Sequence, residues 1–120
     1  MISTEAFSIK VIGAFDLLDR NGFSIRPSGR KDCAILAMLA LTRNHRQTRT
    51  WLQDKLWTDR GPAQGAASLR QALTSLRSIL NGTEEVLFAD RTWVWLDSSR
   101  FHFDHKSATS GEVLRGFDLR

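Results

Sequence analysis

Apolar and polar residues alternate from Phe7 onward, with Phe7, Ile9 and Val11 on one side and Ser8, Lys10 and Ile12 on the other. That two-residue period predicts a strand. Ala14–Leu18 predicts a second strand after Gly13, and Asp19-Arg20-Asn21-Gly22 carries the Asn-Gly signal of a tight turn before Phe23-Ser24-Ile25-Arg26. The opening is therefore expected to be a small antiparallel sheet. The period changes after Pro27-Ser28-Gly29. Ile35, Leu36, Met38, Leu39 and Leu41 fill most of a helical circumference, which predicts a central buried helix started by Ser28 or Gly29. Polar Arg43-Asn44-His45-Arg46-Gln47 ends it, and Thr48 suits the N-cap of a short helix carrying Trp51, Leu52, Lys55, Leu56 and Trp57.

A third helix is predicted from Pro62 or Ala63, because proline suits a first helical turn, to Asn81-Gly82, where a left-handed C-terminal cap is expected. At about 100° per residue, Leu69, Ala72, Leu73, Leu76 and Leu80 fall into one stripe. Gln71, Thr74, Ser75 and Ser78 lie opposite, Ser68 and Ala67 sit near the edges of that face, and Arg70 and Arg77 project from one flank. Val86–Ala89, a turn at Asp90-Arg91-Thr92, and Trp93–Leu96 then read as a hairpin. Beyond Ser98 the signals weaken: Phe101 and Phe103 alternate briefly, and Lys106–Gly111 reads as linker.

Length and charge narrow the picture. A chain of 120 residues, 42% hydrophobic, holds one core. The absence of a long apolar run and of a basic-then-apolar leader leads us to expect a cytoplasmic protein with no membrane partner. Cys33, the single cysteine, has no partner for a disulfide or a zinc site and reads as an inert core residue. The net charge of +4 is unevenly spread: residues 20–77 hold eleven Lys and Arg against three Asp, while each flank nets minus two. A basic middle suggests a surface directed at a polyanion, most simply nucleic acid.

The element order, a sheet, a helix, a polar turn, a short helix, a longer helix and a hairpin, is that of an α+β winged helix-turn-helix. Such a fold has a leading antiparallel β-sheet, three helices and a C-terminal β-hairpin wing. From about Phe7 to Asp97 the sequence resembles the N-terminal DNA-binding domain of SARP-type bacterial transcriptional regulators, related to the OmpR/PhoB-type winged helix. The resemblance is carried by "SIKVIGAFDLLDRNG", "GRKDCAILAMLAL", "TRTWLQDKLW", "ASLRQALTSLRSIL" and "VLFADRTWVWLD", in that order. The final "GEVLRGFDL" is similar to the segment that opens the helical-repeat activator domain of such regulators. The expected division is a winged helix over 1–98, with a linker and the start of a downstream activator domain over 99–120.

The resemblance implies transcription regulation through binding of double-stranded promoter DNA, often as dimers or in tandem. In the expected arrangement the third helix enters the major groove and the wing touches backbone or minor groove. Gln71, Thr74 and Ser75 are the expected base-facing residues, with Ser68 and Ser78 on the same surface and Arg70 and Arg77 as anchors. Polarity alone would fit any surface helix; the resemblance is what assigns this face to DNA. Arg46 and Arg49, with Arg43 and His45, surround the start of the second helix, whose N-terminus can receive a phosphate, and Arg91 and Thr92 stand at the wing tip. The loop from Thr58 to Ala63 is where relatives meet RNA polymerase.

The family commonly carries basic residues where this chain has Ser75 and Ser78, which implies a weaker and less salt-dependent grip. The resemblance also turns Val94 and Leu96 inward and Trp93 and Trp95 outward. There the leading sheet or Phe101–Phe103 would cover the indoles, or they would mark a contact with a downstream domain or a dimer mate. A protein-interaction or dimerisation module with little DNA binding is therefore the alternative function. His102, Asp104 and His105 do not converge in an alternating "FHFDH", and neither a nucleophile motif nor a phosphate loop is present, so no enzyme, metal or cofactor is expected.

Overall fold

The computed structural model describes residues 6–11, 14–82 and 85–104. Along it run β1 (Phe7–Lys10), β2 (Asp16–Leu18), α1 (Arg30–Leu41), β3 (Arg46–Thr48), α2 (Arg49–Leu56), α3 (Pro62–Leu80), β4 (Leu87–Ala89), β5 (Trp93–Leu96) and β6 (Phe101–Asp104). Among the described residues these make an α+β fold of three α-helices and two three-stranded sheets. None of those helices is long and apolar enough to cross a membrane.

The first sheet has the order β2-β1-β6. Ile9 and Leu17 face each other across the antiparallel β1–β2 pair and are fully buried, as the alternation predicts for Ile9. β6 lies parallel to β1, with Phe7 opposite Phe101 and their rings 5.4 Å apart. Parallel neighbours need a long crossover, and the crossover here is the entire helical region with the second sheet. The leading sheet is thus mixed rather than antiparallel. The folded unit, expected to close at Ser98, runs on at least to Asp104. Ile12, Gly13, His105 and the stretch 106–120, which holds most of the expected linker and the start of the downstream domain, lie outside the described residues.

The turn at Asp19–Gly22 forms as predicted: Gly22 takes φ +85°, and Asp19 Oδ1 accepts from the Asn21 and Phe23 amides at 2.9 and 3.0 Å. The strand expected over Phe23–Arg26 shrinks to a single bridge between Leu18 and Ser24. Pro27, which lacks an N–H, follows at once and leads the chain towards α1. Gly29 is the N-cap of α1, and Cys33 to Ala40 are buried without a break, the all-round burial its composition predicts.

Between α1 and α2 the chain reverses through Asn44 and His45, both left-handed at φ 62° and 53°. The polar segment read as a simple turn then forms β3, which pairs with β5 in the register Arg46–Trp95, Gln47–Val94, Thr48–Trp93. Thr48 doubles as the expected N-cap of α2, its Oγ1 accepting from the Trp51 amide at 3.1 Å. In α3, Pro62 occupies the first turn, and Leu69, Ala72, Leu73, Leu76 and Leu80 are buried as their spacing predicts.

The expected left-handed cap of α3 does not form: Asn81 has φ −93°, and Gly82 is not at positive φ. The Asn81 amide instead accepts from the Val86 and Leu87 N–H groups at 2.9 and 3.0 Å and donates to the Leu87 carbonyl at 3.0 Å. One side chain thereby ties the end of α3 to the start of β4.

Gly65 is the buried residue by which α3 approaches α2. A methyl group there would meet the Gln53 side chain at 3.7 Å and Trp57 Cβ at 3.9 Å, ordinary contact distances. Gly65→Ala should therefore raise stability by about 0.5–1 kcal/mol, the helix-propensity gain without a clash. A higher urea midpoint at unchanged slope is the expected readout.

Candidate nucleic-acid interface

Among the described residues no polar or charged side chain is buried, so every candidate functional group stands at the surface. Gly65, Leu69, Ala72, Leu73, Leu76 and Leu80 are the buried positions that hold α3 to the core, which leaves its opposite face in solvent. Gln64, Ala67, Gln71, Thr74, Ser75 and Ser78 form the exposed ridge. None of them is charged. The Thr74 hydroxyl donates to the Arg70 carbonyl at 3.0 Å and that of Ser78 to the Ser75 carbonyl at 2.7 Å. Both hydroxyl protons are thus engaged within the helix, leaving outward lone pairs.

Arg70 and Arg77 are exposed and seven residues apart, hence on one flank of the ridge. The opposite flank carries Ser68, half-buried, whose Oγ accepts from Arg60 Nη1 at 2.8 Å. Arg60 belongs to the exposed connection over 58–61, and Pro62 and Ala63, expected in that loop, are already α3. Sequence reasoning gave Arg60 no part beside the ridge. Its only signal is the spacing of eight residues to Ser68, which becomes a contact once the chain turns at Gly61.

An open groove of about 1140 Å³ runs along the ridge and is bordered by Asp32, Trp57, Arg60 and Arg70 as well as by Gln64 and Gln71. Lys31 Nζ stands 5.1 Å from the Trp57 ring centre on its margin. Burial pushes the Asp32 carboxyl above the usual aspartate range.

The other candidate residues gather at the β4–β5 hairpin. Arg46 and Arg49, expected around the start of α2, are drawn to it by the β3–β5 pairing. The Arg46 guanidinium lies 3.8 Å from the Trp93 ring centre, and Arg49 donates from Nε to the Asp90 carbonyl at 2.6 Å and from its backbone to Thr92 O at 2.8 Å. Arg91 and Thr92 are exposed at the tip. Arg43 is exposed too, whereas His45 turns inward, its Nδ1 3.2 Å from the Leu39 carbonyl and its ring stacked 4.0 Å from Phe103.

Asp90 holds the tip together. Its carboxylate accepts from the Trp93 amide at 2.6 Å and the Thr92 amide at 2.8 Å, which keeps its pKa below the usual range, with help from Arg49 and Arg46. Val94 and Leu96 face the core, and Trp93 and Trp95 face outward, half-buried. Arg46 covers Trp93 and Phe88 stacks on Trp95 at 5.6 Å. Phe101 and Phe103, expected as covers, stack on Phe7 and His45 instead.

The chemistry available is therefore polar recognition and charge. Burial raises the Cys33 thiol to about 11, so its nucleophilic thiolate is scarce. Among the described residues no three His, Cys, Asp or Glu side chains converge in a way that could hold a metal ion. No family model matches the chain, and neither a curated protein nor a solved structure matches it significantly.

The two aspartates respond to pH with opposite signs. The folded pKa of Asp90 is depressed, so the stability it contributes is present above the ordinary value of 3.8 and is lost as pH falls through the lower folded value. The folded pKa of Asp32 is raised, so its ionisation costs stability as pH rises from 3.8 through the folded value. Asp90→Asn should destabilise the fold at pH 7 but not at the acid end of a urea titration series, and Asp32→Asn should leave it as stable or more stable at pH 7.

Proposed function

We propose that the chain is a winged helix-turn-helix that binds double-stranded promoter DNA as the N-terminal module of a bacterial transcription regulator. In this reading α3 lies in the major groove, and the β4–β5 hairpin is the wing on backbone or minor groove. The carrying observation is the uncharged ridge of α3 with arginines on both flanks: Arg70 and Arg77 on one side, Arg60 on the other. A major groove is bounded by two phosphate backbones, so a neutral reading surface between cations matches its charge layout. The succession α1, β3, α2, α3, β4, β5, with β3 paired to β5, supports the winged-helix reading, and the Arg46, Arg49 and Arg91 cluster supports backbone contact by the hairpin. The exposed connection over 58–61 is the proposed RNA polymerase contact.

Fluorescence anisotropy with labelled duplexes tests the reading. Binding at about 50 mM salt that weakens, with a shallow slope, as salt is raised to about 200 mM is the expected result, and no binding to any duplex overturns it. The second reading, a protein-interaction or dimerisation module, draws on the outward Phe88, Trp93 and Trp95. It predicts self-association in sedimentation together with indifference to DNA.

Arg77→Ala should weaken all duplexes alike and reduce the slope of log K against log salt by about 0.9, the loss of one phosphate contact. Gln71→Ala should cost about 1–3 kcal/mol on the best site and little on random duplex. Parallel titrations of the two variants against both duplexes separate these outcomes.

A further inference from the structure

The ridge of α3 carries information about which bases it suits. Guanine is most often read by Arg or Lys bonding bidentately to O6 and N7, and cytosine by a carboxylate accepting from N4. Neither kind of side chain stands on the ridge. Arg70 and Arg77 leave the helix from its flank, about 100° from the ridge line, and of the two only Arg70 borders the groove beside Gln71. Arg60 is held by Ser68 on the other side. The carboxylate that lines the groove, Asp32, belongs to α1 and folds back on its own first turn, where a Cβ at Gly29 would lie 3.4 Å from Asp32 Cγ.

What remains on the ridge suits adenine and thymine. Gln64 and Gln71 are exposed and seven residues apart, so both side chains leave the same face of the helix, and an amide matches the N6 donor and N7 acceptor of adenine. Between and beside them lie the methyl groups of Ala67 and Thr74, apolar partners for the thymine C5-methyl. The hydroxyl protons of Thr74 and Ser78, which could otherwise donate to guanine O6, are engaged by the Arg70 and Ser75 carbonyls. Ser75 is indifferent, since a serine serves any base.

Resting on duplex binding through α3, we infer that the sequence this helix reads is A·T-rich, with Gln71 and Gln64 as the adenine-reading residues. The phosphate contacts from the flanks add affinity without altering that choice.

Selection from a randomised duplex library by the 120-residue chain, followed by sequencing of the bound fraction, tests the inference. The expected motif has an A·T-rich core. Gln71→Ala should bind that motif about 5- to 150-fold more weakly with random duplex unchanged. Gln71→Arg should convert one adenine of the motif to guanine, which loss of folding cannot imitate. A G·C-rich core, or an unaltered motif for Gln71→Arg, overturns the base assignment while duplex binding stands. Failure of the unmodified chain to retain any duplex overturns both the proposed function and this inference.

Discussion

The three-residue ladder between β3 and β5 sets the position of the candidate contacts at the hairpin. Arg46, Gln47 and Thr48 pair with Trp95, Val94 and Trp93, and the residue after Thr48 begins α2. One short ladder therefore joins the start of α2 to the hairpin and draws Arg46 and Arg49 to its tip. Slipping it by one residue would turn Val94 out and a tryptophan in, so burial of Val94 and Leu96 enforces the register.

From that anchor the second half of the molecule follows. Asn81 bonds the end of α3 to Val86 and Leu87, so the hairpin is held at both ends: to α3 by Asn81 at its start and to α2 by the Arg49–Asp90 contact at its tip. The leucine stripe of α3 secures one face to the core, and the exposed face has a fixed direction relative to the Arg46, Arg49 and Arg91 cluster. A proposed DNA-reading surface needs such rigidity, because base discrimination depends on amide groups arriving within hydrogen-bond reach. The same surface is sparing in charge. With serines at 75 and 78 and cations confined to the flanks, the proposed DNA binding would draw only moderate long-range attraction from phosphate and would rest its selectivity on close contacts.

Elements whose cause is local were legible in the residues. The all-apolar α1, the threonine cap of α2, the leucine stripe and proline start of α3, the Asn-Gly turn and the β4–β5 hairpin each rest on interactions within a few positions. So does the outward polar set Gln71, Thr74 and Ser75. The misreadings share a different cause. β3 has no apolar residue, β6 is four residues long, and both exist only because a distant strand supplies hydrogen bonds. Asn81 does cap α3, but without the expected left-handed turn, because its side-chain amide bonds Val86 and Leu87 at the start of the hairpin. Arg60 does lie in the expected loop, and only its contact with Ser68, made by the turn at Gly61, has no local signal.

The sequence by itself determined three helices, a hairpin and the neutral ridge of α3 with its arginine flank, because periodicity and capping are properties of neighbours along a chain. Only the tertiary structure decided that the first sheet closes with β6, that the hairpin gathers Arg46 and Arg49, and that a second arginine flanks the ridge. Each of those depends on groups far apart in sequence satisfying one another's hydrogen bonds or covering one another's rings, and no local pattern encodes such a pairing.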